Sequence, residues 1–138
     1  MKKSKLNKIS KQPISKIQRQ LWAECKRIIR ARYPKPRCTN TWICFTCGKE
    51  IRGKNCHTGH MLAKASLGAF LKYDLRLLRT QCYHCNINLG GMGAVFIENM
   101  RKIEGNEYVD KILQDRFKTV KAYDFYVQLL EDYKKIKK

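Results

Sequence analysis

Cys44-Phe45-Thr46-Cys47-Gly48 and Cys82-Tyr83-His84-Cys85-Asn86 are the two stretches whose reading decides how this chain folds. Each has the C-x-x-C spacing that lets two thiolates share one tetrahedral metal ion. The pairs stand 34 residues apart, too far for a minimal zinc ribbon. A single ion held by all four would make a closed, structural zinc site, stapling the chain around residue 46 to the chain around residue 84. Gly48, directly after the second cysteine, frees the backbone to curl so that amides point at the thiolates. The interval holds His57, Gly59 and His60, so the staple would close around a histidine-bearing segment.

Working outward, 138 residues with 43% apolar content suffice for one domain with a modest core, which a structural metal would support. Mean hydropathy is −0.54, and no apolar run approaches a membrane span. The basic N-terminus lacks the apolar region of a secretory signal. Seven cysteines without export point to a reducing, cytoplasmic setting and metal binding over disulfides. The net charge of +19 is concentrated in residues 1–37, where thirteen Lys/Arg face one acid, Glu24. Such an excess calls for a polyanionic partner, nucleic acid first, with a phosphate-rich membrane surface or a merely solvated basic face as the plainer readings.

Residues 1–12 read as a disordered basic arm and 13–138 as one domain: a basic helix over 13–37, a zinc-containing core over 38–105 and C-terminal helices over 106–138. Ile17, Leu21, Cys25 and Ile28 share one face of the first helix, with Ser15 as N-cap and Pro34 and Pro36 as its stop. Its other face presents Lys16, Arg19, Lys26, Arg27 and Arg30 to phosphates or to water. The pattern further predicts a strand over 41–45, a short helix over 66–73, strand over 75–78, and helices over 94–104, 106–117 and 119–136. Ile103 and Phe117 are among the expected core residues, and Thr119 is the expected last N-cap.

The chemistry follows from the staple. His60 lies on the connection between the knuckles, and Asn86 is bonded to Cys85, so closure would bring an imidazole and a carboxamide toward each other. Phosphodiester hydrolysis needs a base for water and a cation for the developing charge. A neutral imidazole suits the first task, and hard oxygen ligands suit Mg²⁺ or Mn²⁺. Lys64, Arg76 or Arg79 could clamp the phosphate. Alone, a histidine such as His60 is more often structural. Cys25 reads as core, and Cys38 and Cys56 offer a second metal site with His57 only at irregular spacing.

The combined run Cys44 to Gly48, Gly59-His60-Met61, Tyr73 to Arg76 and Gln81 to Asn86 resembles the phage lambda NinG (Rap) recombination-nuclease family over about residues 40–135. More distantly it is similar to HNH nucleases and endonuclease VII. The resemblance implies an α+β fold with a zinc-stapled ββα-metal (HNH-like) core and flanking N- and C-terminal helices. It implies His60 as general base, Asn86 as catalytic-metal ligand and Cys44, Cys47, Cys82 and Cys85 as structural zinc ligands. It implies branched DNA, such as Holliday junctions and D-loops, as substrate, with phage or host recombination proteins as partners in a bacterial cytoplasm; paired nicks would call for a homodimer. The chain departs from the pattern in three places. Gly59 replaces the metal-binding aspartate of endonuclease VII-like enzymes, and His57 is the candidate substitute ligand. Leu77 stands where the Asn that orients the base-bearing loop is expected, and Met92 where Asn is expected. The competing readings are a non-catalytic zinc module that binds DNA or RNA junctions and a ribosome- or RNA-associated zinc protein.

Overall fold

The computed structural model describes Ile9 and residues 11–137. Four α-helices and two small antiparallel sheets make an α+β architecture among these residues: α1 (Ile14–Arg32), β1 (Thr41–Ile43), β2 (Glu50–Arg52), β3 (Cys56–His60), β4 (Leu78–Cys82), α2 (Gly93–Glu104), α3 (Asn106–Asp115) and α4 (Ala122–Lys134).

α1 forms because its apolar residues recur at helical spacing. Ile17, Leu21, Cys25, Ile28 and Ile29 are fully buried, largely against α4, where Tyr126, Val127, Leu130 and Tyr133 supply the matching face. The helix starts two residues earlier than a Ser15 cap would have it. Pro13 takes the N-cap position in extended conformation and no side chain caps. Polar straps close the same seam. Tyr133 donates to the Tyr73 carbonyl at 2.7 Å, and Tyr123 donates to the Gln12 carbonyl at 2.6 Å. Ile9 is buried in the same core, so the end of the expected arm packs with the domain; residues 1–8 and 10 lie outside the described residues.

β1 and β2 flank the first knuckle, pairing Thr41 with Arg52 and Ile43 with Glu50. β3 and β4 pair from Cys56–Cys82 to His60–Leu78. Residues 61–77 join β3 to β4 without regular α-helix. The expected helix over 66–73 is replaced by a 3₁₀ turn, Lys64–Ser66, and irregular chain that still buries Leu67, Leu71 and Tyr73. The strand expected over 75–78 begins only at Leu78, after a 3₁₀ turn at Leu75–Leu77 that Asp74 caps. After β4 the chain makes a single π-type turn over His84–Asn88, with Leu89 N–H donating to the His84 carbonyl at 2.9 Å, and then enters α2.

Two expected core residues are not core. Phe96 and Met100 bury the inner face of α2, but Ile103 is 66% exposed one turn on, where Gly105 (φ 95°) turns the chain away. Phe117 is 81% exposed because α3 stops at Asp115, short of 117. The Asp115 carboxylate draws Arg76 to 3.0 Å, Lys111 to 3.3 Å and Lys118 to 3.4 Å. α4 likewise begins at Ala122 with Lys121 as its cap residue, not Thr119.

Candidate metal centre and its surroundings

The fold brings Cys44 and Cys47, at the β1–β2 turn, against Cys82 and Cys85, at the end of β4. All four sulfurs lie within 4.8 Å of one another. Cys47 Sγ and Cys82 Sγ are 3.8 Å apart, which matches the edge of a sulfur tetrahedron, about 3.8 Å for Zn–S bonds of about 2.3 Å. All seven cysteines are free thiols. The surrounding donors suit thiolates: Cys85 N–H points at Cys82 Sγ (3.4 Å) and the Thr46 hydroxyl at Cys44 Sγ (3.4 Å). Gly48 takes φ 79°, and its N–H donates to the Cys44 carbonyl at 2.9 Å, closing the first knuckle. As free thiols the ligands differ. Burial pushes Cys85 up to about 12 and raises Cys47. Burial is also the largest influence on Cys44, but hydrogen bonds from Thr46 and from backbone amides outweigh it and bring that thiol to about 6. The donor set and spacing fit a closed four-thiolate zinc site.

Cys38 is exposed, and Cys56 is buried beside the cluster without joining it. Among the described residues the four knuckle cysteines are the only group of three or more His, Cys, Asp or Glu side chains placed to share an ion, so Cys38, Cys56 and His57 form no second site there.

His60 ends β3. Its ring stacks on Trp22 of α1, 5.1 Å between centroids and 11° from parallel. Nε2 lies 3.1 Å from the Lys72 carbonyl. A carbonyl can only accept, so Nε2 carries the proton and Nδ1 keeps its lone pair. Burial, with smaller contributions from the nearby Lys64 and Lys72 charges, pulls the imidazole down to about 4, so it is neutral at pH 7. Successive strand side chains alternate faces, so His57 leaves β3 on the face opposite His60 and meets Tyr83 edge-on at 5.5 Å. His57 thus shares its strand face with Gly59, the position it is expected to stand in for.

Asn86 sits in the π-type turn, half-buried and without a hydrogen-bond partner among the described residues. One side chain missed by the sequence reading links it to the histidine strand: Gln81, which is 0% exposed. Its amide donates to Thr46 Oγ1 (3.0 Å) and to the Gly91 carbonyl (2.9 Å). Gly91 N–H in turn donates to the Cys85 carbonyl at 2.8 Å. Gln81 Oε1 has no conventional partner and lies against Gly59, where a Cβ would come within 1.7 Å of it. The hydrogen at Gly59 points at this oxygen in a weak Cα–H···O contact. Gln81 therefore ties the first knuckle, the residue before His60, and the loop after Asn86 into one unit. It also fills the space an aspartate at position 59 would need. Leu77 is fully buried in the core, yet its carbonyl accepts from Met61 N–H at 2.8 Å, so backbone fastens the residue after His60. Met92 takes a left-handed conformation (φ 55°) at the start of α2, one that asparagine adopts far more readily.

The eight cations singled out for phosphate contact divide sharply. Arg27 bonds Glu24 and the Tyr133 and Ile136 carbonyls, and Arg30 bonds the Gly53 carbonyl and lies over Trp42. Arg76 forks onto Asp74 and Asp115. Arg79 is 3% exposed, paired with Glu104 at 3.2 Å and stacked over Tyr33. All four are engaged within the fold, Arg79 the most deeply. Lys16, Arg19, Lys26 and Lys64 are exposed and enter no ion pair among the described residues.

Searches of the chain against protein-family models, curated proteins and solved structures find no match. Among the described residues no helix is long and apolar enough to cross a membrane.

Proposed function

We propose that this protein is a zinc-stapled endonuclease of the ββα-metal, NinG-like kind, acting on branched DNA. One observation carries the reading. A neutral, oriented imidazole ends the first strand of a hairpin that leads through a cysteine-anchored turn into a helix, and that turn bears an unpartnered carboxamide. In this reading His60 Nδ1 accepts a proton from the attacking water while the Lys72 carbonyl holds the ring through Nε2. Trp22 stacks on the ring, and Gln81 ties the residue before it to the loop after Asn86. Cys44, Cys47, Cys82 and Cys85 hold structural zinc, which fixes the turn that carries Asn86. Asn86 is the chain's oxygen ligand for a hard divalent ion, which would neutralise charge on the scissile phosphate.

A second reading, a non-catalytic zinc module binding nucleic-acid junctions, is favoured by one fact: neither the strand that carries His60 (Cys56–His60) nor the turn that carries Asn86 (His84–Asn88) contains an aspartate or glutamate. Incubating zinc-loaded protein with a synthetic four-way junction, with and without Mg²⁺ or Mn²⁺, separates the two. The nuclease reading expects metal-dependent nicking that His60→Ala abolishes while junction binding persists. Binding without nicking under any divalent ion sinks it in favour of the module.

A further inference from the structure

Binding to a polyanion takes cations that the fold has not already neutralised. Their positions on this molecule are specific. α1 is fixed by its buried inner face, and its outer face carries Ser15, Arg19, Trp22 and Lys26 at successive steps of four, three and four residues. Such a stripe runs roughly 16 Å along the helix axis at about 1.5 Å per residue. Across from it stands Lys64, its Nζ 5.1 Å from the centroid of the Trp22 ring. Together with Gln18 and Tyr73 these residues line a cleft of about 560 Å³. Lys16, one turn from Gln20 and beside Arg19, extends the same charge along the helix. No carboxylate lines the cleft. Trp22 forms part of its wall and also stacks on His60, so anything seated there lies one ring away from the imidazole.

We infer that this cleft seats the sugar-phosphate backbone of a nucleic-acid strand, with Arg19, Lys26 and Lys64 contacting phosphates and Trp22 setting the strand's position relative to His60. The role toward His60 rests on the nuclease reading above; the cleft as a binding site stands without it. The interaction is electrostatic, so affinity falls with salt as phosphate contacts release counterions.

The test is binding alone, with zinc-loaded full-length protein, a fluorescently labelled four-way junction and no added divalent ion. Affinity is followed across a salt series for Arg19→Gln, Lys26→Gln and Lys64→Gln, and for two controls of equal charge loss on and beside α4, Lys121→Gln and Lys134→Gln. Each cleft variant should lower the slope of log affinity against log salt by about one, and the triple variant by about three, with the controls near wild type. A Trp42→Phe chain leaves Trp22 as the sole tryptophan, and its emission should change as junction saturates. Equal weakening by the controls, a Trp22 signal indifferent to saturating DNA, or no binding even at low salt would each overturn the inference. Binding that behaves as expected in a protein that never nicks DNA leaves the cleft in place and removes only the nuclease reading. Nicking with cleft variants that bind like the controls does the reverse.

Discussion

Gly59→Ala looks harmless by local rules and should not be. Position 59 lies in a β-strand outside the left-handed region, where exchanging glycine for alanine stabilises by about 0.5–1 kcal/mol through chain entropy alone. Here the new Cβ would stand 1.7 Å from Gln81 Oε1 and 2.5 Å from its Cδ. Gln81 is fully buried and cannot swing into water, so relief means giving up its bonds to Thr46 and the Gly91 carbonyl. Two hydrogen bonds at about 1 kcal/mol each, plus a carbonyl left unpaired, put the loss at about 2–4 kcal/mol, which exceeds the entropic gain. The measurement is urea unfolding by circular dichroism at fixed free zinc, for Gly59→Ala, Gln81→Ala and the double variant. Each single change should destabilise by about 2–3 kcal/mol, while the double should cost no more than Gln81→Ala alone, because the clash has gone. A Gly59→Ala effect within about 0.5 kcal/mol of zero, or strictly additive effects, would show that Gln81 does not hold this junction.

Three further outcomes are expected. Chelating zinc should unfold the knuckles and lower the melting temperature markedly, since the ion's binding energy contributes directly to folding, with readdition restoring it; a melt insensitive to chelator would remove the zinc site. His60 has a folded pKa near 4, below its unfolded value near 6.5, so the unfolded chain takes up a proton the native one refuses. Its effect is therefore absent above about pH 6.5 and grows as pH falls toward 4, reaching about 3 kcal/mol of lost stability; His60→Phe, which keeps a ring against Trp22, should flatten that part of the stability profile. Met92→Asn should raise the unfolding free energy by about 1 kcal/mol, by placing a residue that tolerates the left-handed backbone at the start of α2; a destabilised variant would mean that the methionine's packing beside the cysteine cluster outweighs that strain.

The knuckles were legible because thiolate chemistry imposes a spacing, and α1 and α4 because a long buried face repeats at helical period. What sequence reading missed has a common physical cause: long-range partners that no local pattern announces. Arg79 reads as a free cation until Glu104, Tyr33 and Phe45 close over it. The helix expected over 66–73 has apolar residues at suitable spacing, yet the core takes Leu67, Leu71 and Tyr73 from irregular chain. β4 buries all five of its residues, so it lacks the alternation that would have placed it over Leu78–Cys82. Ile103 and Phe117 fit a helical face, but the buried surface ends before them. Gln81 had one available signal: a glycine inside a strand marks a close approach, and Gln81 is what approaches Gly59.

The four thiols are not equally sheltered. Cys44, Cys82 and Cys85 are buried, whereas Cys47 faces solvent. The centre therefore has a single unguarded corner, and damage should enter there: a small electrophile or peroxide reaching the protein would modify Cys47 ahead of its three companions, ejecting the ion and loosening both loops at once. Mapping alkylated cysteines by mass spectrometry against zinc release would show whether Cys47 reacts first. A zinc ion held there would join the two knuckles and would also mark the place where an oxidant parts them.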